Sequence, residues 1–231
     1  MARRNIRKVL VFDVETSGLL PKKTEDVPIE KLPHILQLSY IVFETDGWKV
    51  SKVGNYYVNV EKHVEISQKI TELTGITREM CNSGSSIVNV LKEFCDEYMQ
   101  CDLIVAHNIY FDRNMIQLEI SRNKEKLPSH YVENVFSRNF EKENFKTNYC
   151  TMYNGRNICN IKRENDKGET YVKCPKLSEL YEHLFEEPVH GNLHNSLVDT
   201  YVCLKCLVKM RFKFDMKDRG YDAIMSHNKY S

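Results

Sequence analysis

The chain has 231 residues, 42% of them hydrophobic and 28% charged. Such values belong to a globular protein with a sizeable core and exclude wholesale disorder, and no apolar run approaches the ~20 residues of a membrane span. The 33 basic and 32 acidic residues nearly cancel, for a formal charge of +1, so bulk attraction to nucleic acid is excluded and any such binding must come from local charge.

The first eight residues, MARRNIRK, carry four basic side chains and no acid. They look like the start of an export signal, but only 9–12 are apolar before Asp13, too few for its hydrophobic region. The chain is therefore expected inside the cell, in the cytoplasm or nucleus, with its eight cysteines reduced. Cys203 and Cys206 form a lone C-x-x-C with no second ligand pair at zinc-site spacing, and are expected to be structural thiols.

The run VLVF at 9–12 predicts a strand buried on both faces. A second strand is expected over 36–43 and a third over 53–60, with Asp46-Gly47 between them reversing the chain. The clearest helix spans 85–99: Ile87, Val90, Leu91, Phe94, Cys95, Tyr98 and Met99 recur at helical spacing, and Ser85 or Ser86 offers an N-cap. A short strand at 103–106 follows, then a helix over 111–122, a helix at 177–185 stopped ahead of Pro188, and a long helix over 195–212. The segment 134–173, rich in Asn, Lys and Glu, reads as a loop-rich insertion. One domain is expected, with its core over about 8–212 and a tail over 213–231. Strands first, then helices interleaved with short strands, predict an α/β fold with a mixed sheet. In it the first strand and the one at 103–106 are parallel neighbours whose carboxyl ends open on one crevice.

Asp13 and Glu15 stand two apart at the end of the first strand, where i and i+2 share a face. Paired carboxylates there repel one another unless a cation lies between them, which suits hard divalent ions such as Mg²⁺ or Mn²⁺. An Asp-x-Glu pair arises about once by chance in a chain of this composition, so its position after a buried strand is what counts. Asp112 lies just past the strand at 103–106; an acid there also suits a helix N-terminus. His194 and Asp199 do not share a helix face at a spacing of five. They can converge if His194 precedes the last helix, Asn195 or Ser196 caps it, and Asp199 faces inward from its opening turns.

Taken together, FDVETSGL (12–19), AHNIYFD (106–112) and HNSLVD (194–199) resemble the three motifs of the DEDD exonucleases, histidine branch, the superfamily of the proofreading epsilon subunit of bacterial DNA polymerase III. ELTGIT (72–77) and PKLSELYEHLF (175–185) resemble segments that recur between those motifs. The likeness covers most of 9–210 and thins over 134–173. Two departures stand out. Ser196 replaces the commonest alanine, a small-for-small change expected to matter little. Cys150 precedes Thr151 where an aspartate is usual, for which the sequence offers no reason.

The resemblance implies a ribonuclease-H-like α/β fold, a mixed five-stranded sheet flanked by helices. It implies a 3′–5′ exonuclease that uses two divalent cations, Mg²⁺ or Mn²⁺, to release nucleoside monophosphates. Asp13 would bridge both ions, Glu15 and Asp199 would help hold the one that activates water, and Asp112 would support the other. His194 would take the water's proton, a role that suits imidazole near neutral pH. Thr16, Ser17 and Leu19 would meet the terminal nucleotide, and His107, Asn108 and Phe111 would lie along the substrate strand. Leu19 and Phe111 equally suit core packing, and Thr16 a turn cap. Phosphate-contact candidates are Arg3, Arg4, Arg7, Lys8, the 134–173 segment and the basic-rich 205–219.

The expected partner is nucleic acid with a single-stranded or frayed 3′ end, DNA slightly ahead of RNA on the polymerase-subunit likeness alone. A polymerase or other protein partner is admitted by the same likeness, and no membrane is expected. The near-zero charge predicts modest affinity without such a partner. An exoribonuclease of the same branch is the first alternative. A non-catalytic nucleic-acid-binding module on the exonuclease fold is the second, disfavoured because all four acids and the histidine are kept.

Overall fold

The computed structural model describes residues 6–189, 191, 193–217 and 220–228. Strand β1 (Lys8–Thr16) runs well past the apolar VLVF segment, because its pairing with antiparallel β2 (Ile35–Glu44) continues through Asp13↔Ser39 and Glu15↔Gln37. The reversal expected at Asp46-Gly47 is present, with Gly47 at a φ of 79°, and leads into β3 (Lys49–Asn59), antiparallel to β2. On β3 a glycine is required at 54, since a Cβ there would sit 2.3 Å from the buried Tyr40 ring of β2.

Two short helices follow: α1 (Gln68–Thr74), capped by the Ser67 hydroxyl and ended by Gly75 at a φ of 73°, and α2 (Arg78–Asn82), capped by Thr77. The next helix, α3 (Ile87–Gln100), starts two residues later than expected. Ser85 and Ser86 form a short strand, β4, parallel to β3, and Ser86 takes the N-cap position without a side-chain cap bond. Strand β5 (Leu103–Ala106) lies parallel to β1, and α4 (Ile109–Arg122) springs from its end.

The segment 134–173 differs from its loop-rich reading. Helices α5 (Ser129–Asn134) and α6 (Arg138–Glu143) lead into β6 (Thr147–Cys150), a sheet strand parallel to β5. Helix α7 (Thr151–Cys159) and the hairpin of β7 (Lys162–Glu164) with β8 (Thr170–Val172) complete it. These elements are short, and their polar residues face solvent on the sheet's edge, so no apolar period announces them. Helix α8 (Leu177–Phe185) precedes α9 (Ser196–Leu207), which Val208–Phe212 extends as a π-helical turn; α10 (Tyr221–Met225) follows.

The sheet therefore has six strands, not five, in the order β4-β3-β2-β1-β5-β6, the sixth being the two-residue β4. Along β1 the pleat divides the core. Leu10, Phe12 and Val14 join α3 and α4 residues on one face, and Val9 and Val11 join Leu197, Tyr201 and Leu204 of α9 on the other. The segment after 212 is part of this second core rather than a tail, because Met216 and Ile224 are buried in it. All eight cysteines are free thiols, with Cys203 and Cys206 buried. Among the described residues no helix is long and apolar enough to cross a membrane.

Candidate active site

The pleat that points Val9 and Val11 at α9 points Asp13 and Glu15 the same way, as expected of i, i+2 spacing. Helix α9 is capped by Asn195 and tied to the sheet by two bonds of Ser196. The Asn195 side chain accepts from Leu197 N (3.1 Å), Ser196 Oγ donates to the Asp13 carbonyl (2.7 Å), and Ser196 N donates to Gln37 Oε1 (3.3 Å). The Ser196 hydroxyl is thus not an idle replacement for alanine, since it ties the helix start to the strand that carries two of the acids. Gln37 and Ser39, both fully buried, share Asn55 Oδ1 as an acceptor. Their signal in sequence was two polar residues at i, i+2 inside the otherwise apolar ILQLSYIVF.

Asp199 stands in the first turn of α9. Its Oδ2 accepts from the backbone N–H of His194 (3.2 Å), and its Oδ1 is buried without a hydrogen-bond partner. His194 is exposed on the turn before the helix, with a φ of 70°, a left-handed conformation that is uncommon outside glycine. Ligand atoms of Glu15, His194 and Asp199 lie within 4.8 Å of one another. Asp112, 3% exposed, reaches in from the first turn of α4, where its Oδ1 accepts from Val14 N (3.3 Å).

The four acids perturb one another. Burial, and then the charges of Asp112, Asp199 and Glu15, push the Asp13 carboxyl well above its usual range. Burial and the neighbouring Asp199 and Asp112 raise Glu15 to about 8, while Asp112 and Asp199 rise to about 7, chiefly through burial. Oxygen donors that repel one another and one orphaned buried oxygen are what a hard divalent cation would satisfy. These residues fit such ions.

The remaining residues divide. The connection from β1 to β2 is held by Arg122, which donates to the carbonyls of Ile29, Leu32 and Pro33 and pairs with buried Glu119 at 2.8 Å. Within it Thr16 is buried and donates to the Gly18 carbonyl (2.7 Å), so its turn-capping reading is met. Ser17 exchanges two hydrogen bonds with His34, both 2.9 Å. Leu19 is 84% exposed, which excludes core packing for it, whereas Phe111 packs against the core. Asn108 is exposed at the α4 N-cap, with no side-chain cap bond.

His107, expected along the substrate strand, has both ring nitrogens bonded within the chain. Its ring nitrogens bond Thr151 Oγ1 (3.0 Å) and the Pro175 carbonyl (3.1 Å), and burial lowers its pKa to about 4. It is a brace between β5, α7 and the approach to α8. Cys150 now has a reason. Its Sγ caps α7 by accepting from Tyr153 N (3.4 Å) and bonds the His107 carbonyl (3.1 Å), a donor role an ionised aspartate lacks.

Three of the expected phosphate contacts lie elsewhere. Arg7 and Lys8 sit at the amino end of β1, ~17 Å of strand from Asp13. Lys205 is buried against Tyr181 Oη (3.0 Å). Arg3, Arg4 and Arg219 fall outside the described residues.

A mixed sheet with helices on both faces and an acidic cluster at the carboxyl ends of two parallel strands is a ribonuclease-H-like architecture. The chain belongs to the exonuclease family RNase_T, whose model matches residues 10–207, and the DEDD likeness read from its motifs is borne out. It is 35% identical over 113 residues to the PolC-type DNA polymerase III of Thermotoga maritima, covering 49% of this chain but 7% of that one. The chain thus spans a small fraction of this curated relative.

Solved structures with the same fold include the nuclease domain of 3′hExo, a DEDDh family member, bound to rAMP (TM-score 0.60, 16% identity, 92% of this chain and 95% of that one). E. coli exonuclease I in complex with a dT13 oligonucleotide is another (TM-score 0.60, 18% identity, 96% of this chain and 44% of that one). Members of the family generally use two divalent metal ions.

Proposed function

We propose that this chain is a divalent-metal-dependent 3′–5′ exonuclease that releases nucleoside 5′-monophosphates from single-stranded or frayed 3′ ends. The observation that carries the proposal is the meeting of Asp13, Glu15, Asp112 and Asp199, from three separated segments, beside His194 at the end of the sheet.

In this reading the four carboxylates hold two divalent cations, Mg²⁺ or Mn²⁺. When bound, the ions acidify the attacking water and neutralise charge on the departing 3′ oxygen. The protein does the rest. Asp13, whose carboxyl feels the charges of the other three acids, would be central among the groups that hold the ions. Val14 N fixes the rotamer of Asp112, and the His194 N–H fixes that of Asp199. His194, exposed at the mouth, accepts the proton of the attacking water on a ring nitrogen. Leu19 meets the terminal base, Ser17 and Thr16 shape the turn beneath it, and Asn108 offers its amide to the strand, while Phe111 anchors the helix that delivers Asp112.

DNA is the favoured substrate, on the likeness to a DNA polymerase. The RNA reading is supported by the fold shared with a nuclease domain bound to rAMP. A polymerase or other protein partner suits a chain of near-zero net charge.

Digestion of 3′-labelled and 5′-labelled DNA and RNA oligomers with Mg²⁺ or Mn²⁺ tests polarity, sugar preference and metal need together. Mononucleotides released from the 3′ end, lost in Asp13→Asn, are expected. A preparation that leaves every terminus intact with either metal overturns the reading in favour of a binding module.

A further inference from the structure

Three large apolar side chains stand out of the surface on one edge of the sheet. Leu19, 84% exposed, comes three residues after the end of β1. Tyr110, 76% exposed, is the second residue of α4, four past the end of β5. Tyr153, 68% exposed, is the third residue of α7, three past the end of β6. Strands β1, β5 and β6 are parallel and adjacent, so all three side chains crown the carboxyl edge where the acids gather. The first turns of α4 and α7 are locked together there, since Met152 N and Cys150 Sγ both bond the His107 carbonyl (2.9 and 3.1 Å).

We propose that Tyr110 and Tyr153 continue from Leu19 as a track of stacking platforms for the unpaired bases upstream of the 3′ terminus. The inference rests on the exonuclease reading and specifies its substrate as a single strand of about three nucleotides or more. Neighbouring strands are ~4.8 Å apart, so three strand ends span ~10 Å, about three stacked nucleotide steps of 3.4 Å. Every base presents a π-face to a ring, which makes the contact tolerant of sequence. A paired duplex keeps its bases inside and has no face to offer.

The test is affinity as a function of length. Fluorescence anisotropy of labelled oligo(dT) of two to six nucleotides would be measured with Ca²⁺ present, on the wild type and on Tyr110→Ala, Tyr153→Ala and the corresponding Phe variants. The wild type should tighten from two to four nucleotides and then level off. Each Ala variant should lose about tenfold, the worth of one stacked base, on the longer oligomers only, and the Phe variants should keep wild-type affinity. Phe145→Ala serves as control, an aromatic of similar exposure (71%) at the opposite, amino end of β6, and should change nothing. Ala variants that follow the wild-type length curve overturn the track.

Hydrolysis of the p-nitrophenyl ester of thymidine 5′-monophosphate by the wild type reads the chemical centre alone. If that fails while the tyrosine-dependent length curve holds, the exonuclease reading falls and the track stands.

Discussion

Replacing Asp13 by Asn should make the metal-free protein more stable while abolishing its activity. The four carboxylates are held above their ordinary pKa values by burial and by one another. A carboxyl whose folded pKa exceeds its unfolded one binds more protons in the native state, so stability is lost as pH rises from the unfolded value near 4 through the folded value. With Asp112 and Asp199 at about 7 and Glu15 at about 8, that window runs from about pH 4 to 8. The rise at Asp112 from 3.8 to about 7 is worth at most ~4 kcal/mol at ~1.4 kcal/mol per unit.

Because the acids share their repulsion, removing one charge should recover ~1–3 kcal/mol at pH 8 and almost nothing at pH 5. At ~2–4 °C per kcal/mol for a chain of this size, Tm of Asp13→Asn in EDTA should exceed wild type by ~3–10 °C at pH 8. Adding Mn²⁺ should raise the wild-type Tm and leave the variant nearly unmoved, while kcat falls on the order of 10³-fold. Circular dichroism melts from pH 5 to 8.5, with EDTA or Mn²⁺, would make the comparison. A wild-type Tm that is flat with pH, together with a destabilised variant, would refute the claim that these acids form one strained anionic site.

Three further substitutions address how the site is held. Arg122→Ala takes the guanidinium from the buried Glu119 carboxylate, leaving it only the Ile35 N–H and His34, and frees three carbonyls; it should cost ~3–5 kcal/mol in urea unfolding and raise KM through the Ser17–Leu19 turn. Ser196→Ala removes the bond to the Asp13 carbonyl and should cost ~1 kcal/mol, with a fall in kcat larger than any change in KM. Cys150→Ala should lose ~1 kcal/mol by uncapping α7, and Cys150→Ser, which can both donate and accept, should recover most of it in the same denaturation assay.

The parts of the fold legible in sequence were those where one physical signal dominates. The period of α3, the apolar runs of β1, β2 and β5, and Asp46-Gly47 each speak through local residues, and their positions held to within a few residues. Strand β6 was invisible because TNYC is an edge strand with polar and half-buried side chains. Its existence depends on hydrogen bonds to β5, residues 40 and more away in the chain. The segment after 212 failed for a related reason: Met216 and Ile224 are isolated apolar residues in a polar stretch, and only the waiting surface of Trp48 and α9 makes core residues of them.

The site shows the same division. Asp13, Glu15, Asp112, His194 and Asp199 were legible because their chemistry is rare in combination, whatever surrounds them. The bonds of His107 were not legible because a motif tells where a residue is, not what its ring nitrogens are already bonded to. Thr151 and Pro175 lie 44 and 68 residues further on, and nothing near His107 announces them. Ser196 and Cys150 were passed over as departures from a pattern, yet each makes a bond that the usual residue could not. Alanine has no hydroxyl to give the Asp13 carbonyl, and an aspartate carboxylate has no proton to give the His107 carbonyl. Both departures act on backbone carbonyls at the carboxyl edge of the sheet, one on β1 and one just past β5. This chain therefore holds the frame of its acidic cluster with the Ser196 hydroxyl and the Cys150 thiol.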